Sequence, residues 1–161
     1  MDSHSINRID KIIVVVYQTK KSRGSSYIPT PPPYNNSRCG LINIKNEDDD
    51  KCFYWCMKYH SSKQERNNDR LTVLRNFKDK YNYDGVNYPA SYDDIKVFEE
   101  NNKIGVVVYA IDEQNSIIKE YHGNKEYLLN ERIYLLRIED KEKSHFVYIK
   151  HIHRLLQKIL I

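Results

Sequence analysis

Hydrophobic positions along the chain follow a helical spacing through much of the first half and strand-like runs through the second. The earliest run, Ile12-Ile13-Val14-Val15-Val16-Tyr17, has the β-branched composition and length of a strand. Polar residues follow it, and then Tyr27-Ile28-Pro29-Thr30-Pro31-Pro32-Pro33, where the prolines forbid a helix and predict an extended connecting arm outside the core. Leu41-Ile42-Asn43-Ile44 is a short apolar entry, and the acidic turn Asn46-Glu47-Asp48-Asp49-Asp50 suits the start of a helix at residue 51 or 52. In that helix Cys52, Trp55, Cys56 and Tyr59 share one face at i, i+3, i+4 and i+7, and Phe53 and Met57 widen it, so the helix is expected to be central and buried.

A second helix is expected over 69–80, burying Val73, Leu74, Phe77 and Tyr81 up to the Asp84-Gly85 turn. Ser91-Tyr92-Asp93-Asp94 has the form of a capping box and predicts a third helix over 92–101. Beyond it the pattern changes to strands at 104–111, 116–121, 132–138 and 145–150, closed by an apolar helix over 152–161. Helices followed by consecutive short strands predict an α+β fold, with a mainly antiparallel sheet in the C-terminal half packed on the helix that starts at Cys52. Papain-like cysteine hydrolases have this layout. The chain divides into an N-terminal strand and proline-rich arm at 1–40 and a core at 41–161, within one domain.

Composition narrows the function classes. A chain of 161 residues that is 40% hydrophobic and 30% charged supports one folded domain. The net charge of +4 is spread among interleaved acids and bases, not gathered into a basic stripe, so nothing in it argues for a nucleic-acid partner and none is expected. No apolar stretch reaches the length of a signal peptide or membrane span, so no membrane partner is expected. Three unevenly placed cysteines make no disulfide framework, which predicts reduced thiols and an intracellular protein. The gap between Cys52 and Cys56 fits neither a redox motif nor a zinc site, so no metal and no cofactor are expected.

The candidate chemistry centres on Cys52. A thiol in the first turn of a buried helix lies in the positive field of the helix dipole, which favours the nucleophilic thiolate. The three aspartates just before it oppose that effect, and a packed small hydrophobe is the alternative role for this cysteine. Asn46, six residues upstream, stands where papain-like enzymes carry an oxyanion-hole amide, or it simply caps the turn. His145 opens the strand Phe146-Val147-Tyr148-Ile149 after a polar turn, where papain-like enzymes place the base. His4, His60, His122, His151 and His153 fit that role less well. Asp140, in the turn before the strand, is the candidate to orient His145.

The stretch from Leu41 to Trp55, LINIKNEDDDKCFYW, resembles a segment found upstream of the family-B DNA polymerases of Maverick or Polinton-type elements. The same proteins look alike at RGSSYIP (23–29), GVNYP (85–89), DIKVFEEN (94–101) and HFVYIK (145–150). That region is similar in turn to the viral tegument-like deubiquitinases, a papain-like group. The resemblance implies a thiol protease acting on ubiquitin or polyubiquitin chains, with Cys52 as nucleophile and His145 as base. The viral pattern has an aspartate two residues before the histidine, where Lys143 stands here. A peptidase that processes the element's own polyprotein and an inactive papain-like binding module are the alternatives, and no oligomeric state follows from the sequence.

Overall fold

A computed structural model describes residues 24–62 and 66–157 of the chain. The strand expected at 12–17, His4 and the end of the last helix lie outside the described residues. The rest is a mixed α+β structure built on one five-stranded sheet.

Strand β1 (Leu41–Ile42) is followed by helix α1 (Cys52–Ser61), which begins where the acidic turn predicts. Asp49 holds that turn, accepting from the Lys51 N–H (2.9 Å), the Asn46 amide (2.9 Å) and the Trp55 indole (3.0 Å). Helix α2 covers only Leu71–Asn76 and buries only Leu74, shorter than the expected 69–80, because Phe77 turns to extended backbone at ψ 127°. Helix α3 (Tyr92–Asn102) opens with the complete capping box, the Ser91 hydroxyl accepting from the Asp94 N–H and the Asp94 carboxylate from the Ser91 N–H.

Strands β2 (Gly105–Ile111), β3 (Ile117–Tyr121), β4 (Arg132–Glu139) and β5 (Ser144–Ile149) then complete the sheet in the order β1-β5-β4-β2-β3. All pairings are antiparallel except β2 with β4, which run parallel. Strand β3 carries Lys119 and Glu120 and takes the edge, whereas the largely apolar β4 is buried between β2 and β5. Helix α4 (Ile152–Gln157) follows.

The two faces of the sheet carry separate cores. One, with Phe53, Cys56, Phe98, Val106, Leu135, Phe146 and Tyr148, lies under α1 and α3. The other contains Val107, Leu136, Val147, Ile149 and Leu155, and it also takes in Ile28 and Tyr34. The proline-rich arm is thus part of the core and not only a connector. Residues 31–34 close a turn through the Tyr34 N–H and the Pro31 carbonyl (2.9 Å) where an extended run is expected, and Ile28 and Tyr34 bury, each stabilising by about 2 kcal/mol. Among the described residues no helix is long and apolar enough to cross a membrane.

Candidate functional site

Cys52 is the first residue of α1 and is fully buried. Its Sγ accepts a hydrogen bond from the Phe146 backbone N–H at 3.3 Å, so the helix start abuts the edge of β5 beyond the short β1. Burial pushes the thiol up to about 12, although the N–H groups of Phe146 and Phe53 favour the thiolate. Asp49 and Asp50 add to the rise, so the acidic turn opposes ionisation as its sequence suggests.

His145 is also fully buried. Strand alternation sets it with Val147 and Ile149, on the face away from α1, while Phe146 and Tyr148 face the helix. Its Nε2 meets Asn43 Oδ1 at 2.6 Å. Asn43 Nδ2 donates to the Ile28 carbonyl (2.8 Å) and the Thr30 hydroxyl (3.0 Å), which fixes the amide with its oxygen toward the imidazole. Nε2 therefore carries the proton, and in the neutral ring Nδ1 is left with its lone pair and no hydrogen-bond partner. Burial depresses the imidazole to about 4, while the Ser25 main chain beside it favours the charged form and Lys143 disfavours it. Near neutral pH both thiol and imidazole are uncharged.

Asp140 does not orient His145. Its carboxylate accepts from the N–H groups of Glu142 (3.0 Å) and Lys143 (3.1 Å), closing the turn before β5, and those bonds hold it below the usual carboxylate range. Asn43 takes the orienting role instead. An amide interrupting the apolar stretch Leu41-Ile42-Asn43-Ile44 is the signal in the sequence that points to it.

Asn46 is fully buried six residues before Cys52. Its Nδ2 donates to Asp49 and, at 3.2 Å, to the Ser25 carbonyl, whereas its Oδ1 has no partner. Asn46 thus braces the turn and also offers an N–H to the carbonyl of Ser25, the residue after the glycine that lies against the thiol. Two of the four unpartnered buried polar atoms among the described residues, Asn46 Oδ1 and His145 Nδ1, lie on candidate site residues. Each unmet hydrogen bond costs about 1–3 kcal/mol, as do those of the Tyr81 and Tyr88 hydroxyls.

Cys52 and His145 flank the same stretch of β5 main chain, but their side chains share no hydrogen bond. The other cysteines sit elsewhere. Cys56 donates to the Phe146 carbonyl at 3.5 Å, and Cys39 packs in the opposite core. His60, at the far end of α1, bonds Tyr148 and Glu131. Among the described residues no three His, Cys, Asp or Glu side chains gather as metal ligands. Comparison with family models, curated proteins and solved structures found no match.

Proposed function

We propose that the chain is a papain-like cysteine hydrolase acting as a deubiquitinase, cleaving after the C-terminal Gly-Gly of ubiquitin or polyubiquitin. The observation that carries the reading is the path beside Cys52. Extended main chain passes there between the Ala90 and Ser144 carbonyls, and a Cβ added to its glycine, Gly24, falls 2.2 Å from the Phe146 ring and 2.8 Å from the Cys52 sulfur. Only glycine fits at that point. A ubiquitin tail, ending in two glycines, has the backbone such a path requires.

In the reaction the Cys52 thiol gives its proton to His145 Nδ1, which Asn43 keeps as the ring's lone-pair nitrogen. The sulfur attacks the carbonyl carbon, and the Asn46 amide and the Cys52 N–H receive the developing oxyanion. His145 returns the proton to the leaving amine, and water then hydrolyses the thioester. Both groups start neutral, so the base must act as the bond forms. Sγ and Nδ1 must also come within hydrogen-bond reach.

A second reading, an inactive papain-like binding module, is favoured by the thiol's complete burial and its elevation to about 12. Ubiquitin carrying a thiol-reactive electrophile at its C-terminus separates the two. The wild type is expected to form a covalent adduct that Cys52→Ala abolishes and Cys56→Ala and Cys39→Ala keep. Folded wild-type protein that binds ubiquitin without forming the adduct would leave the binding module, and an adduct surviving in Cys52→Ala would remove Cys52 as nucleophile.

A further inference from the structure

We infer that residues 24–27 are an intramolecular strap occupying the peptide groove at Cys52, laid across the edge of β5 at Ser144 where the main chain of a bound peptide would pass. The inference rests on the reading of Cys52 as the reacting thiol and adds how access to it is controlled.

Main-chain bonds hold the strap on both sides. The Gly24 N–H donates to the Ala90 carbonyl (2.9 Å), and the Ser25 N–H donates to the Ser144 carbonyl (2.8 Å), immediately before His145. The Ser25 hydroxyl adds a second bond to that carbonyl at 2.8 Å. The Ser25 carbonyl takes the Asn46 amide N–H that the reaction assigns to an oxyanion, and the Tyr27 N–H donates to the Asn46 carbonyl at 3.2 Å. A segment that bridges at Gly24, is gripped through its backbone at the open edge of β5 and bends away at Ser26 has the start of the geometry by which peptides are recognised through strand addition.

The strap touches each candidate group. Gly24 lies against Cys52 Sγ, Ser25 engages Asn46, and the Tyr27 ring meets the His145 imidazole edge-on at 5.8 Å between centroids. Lys143 ties it from outside, its Nζ donating to the Ser26 hydroxyl at 2.9 Å. The thiol against which Gly24 lies has no exposed surface. A peptide from another protein reaches Cys52 only by displacing residues 24–27.

Alkylation of the full chain by iodoacetamide, resolved by mass spectrometry at Cys39, Cys52 and Cys56, tests this without reference to ubiquitin. Gly24→Val forces the strap off the Phe146 ring, and Ser25→Pro deletes the N–H that bonds Ser144. In both variants Cys52 is expected to label about tenfold faster or more, as for a segment whose local opening has become easier. Cys39 and Cys56 should keep their wild-type rates. The peptide Arg-Gly-Ser-Ser-Tyr-Ile-Pro added in trans should slow Cys52 labelling again.

Unchanged labelling of Cys52, a joint rise at all three cysteines, or failure of the peptide to protect would overturn the strap and make residues 24–27 an ordinary structural strand. Wild-type protein that cuts its own bond between Ser25 and Ser26 would overturn it as well, because the segment would then be a substrate. Faster Cys52 labelling with no ubiquitin adduct would remove the deubiquitinase reading and leave the strap standing. An adduct formed equally by the wild type and Gly24→Val would do the reverse.

Discussion

Acidification should find its weakest point at His145. A solvated imidazole titrates near 6.5, and burial brings this one to about 4. Between those values the unfolded chain binds a proton that the folded chain refuses. The neutral ring's contribution is therefore fully present above 6.5 and is lost as pH falls toward 4. At about 1.4 kcal/mol per pH unit, the loss amounts to about 3 kcal/mol, a large share of the roughly 5–15 kcal/mol that holds a domain folded. Histidine C–H resonances followed by NMR in the folded protein should show one imidazole titrating near 4. Urea denaturation at pH 7 and at pH 4, on the wild type and on His145→Gln, should show a stability loss in the wild type that exceeds the variant's by that amount. An imidazole midpoint near 6.5 in the folded state, or equal losses in the two proteins, would refute the argument from burial.

Two further substitutions probe the supports of the site. Asn43→Leu removes the acceptor for the His145 Nε2–H and the donor to the Ile28 carbonyl, so it should cost about 2–4 kcal/mol in thermal or urea unfolding. Any adduct formed with the ubiquitin electrophile should slow as well; unchanged stability would show that the imidazole finds another partner. Glu99→Ala should cost about 2–4 kcal/mol, because the buried carboxylate accepts from the N–H groups of Val106 (3.0 Å) and Asn124 (2.7 Å) and from the Tyr121 hydroxyl, and the substitution leaves those donors unpaired. A loss under about 1 kcal/mol in denaturant unfolding would rule out that role for the carboxylate.

The elements most legible in the sequence are those whose signals are local. The capping box at Ser91 and Asp94 marks the start of α3 to the residue, and the acidic turn marks the start of α1 at Cys52. What the sequence conceals are the long-range choices. Strand β4 passes over its chain neighbour β3 to lie parallel to β2, a decision made by which strand tolerates burial on both faces. The amide of Asn43 interrupts an apolar stretch, but its partner 102 residues away is not legible until β5 arrives beside it, and Asp140, the nearer candidate in sequence, is consumed by its own turn. The arm misleads for a related reason. Prolines exclude a helix there but say nothing about the turn over residues 31–34 or where Ile28 and Tyr34 point.

The pairing of Cys52 with the far end of the chain also fixes the order in which the site can be made. The partner that holds its sulfur, the Phe146 N–H, lies 94 residues downstream. Asn43 waits 102 residues for His145, and Ser25 waits 119 for Ser144. Synthesis proceeds from the N-terminus, so the thiol, the amides and the strap all leave the ribosome before the strand that organises them. Contacts of such separation form late in folding, after the cost of closing long loops has been met. A nascent chain stalled before β5 therefore carries Cys52 without its site, and the chemistry proposed here is withheld until translation of that strand is complete.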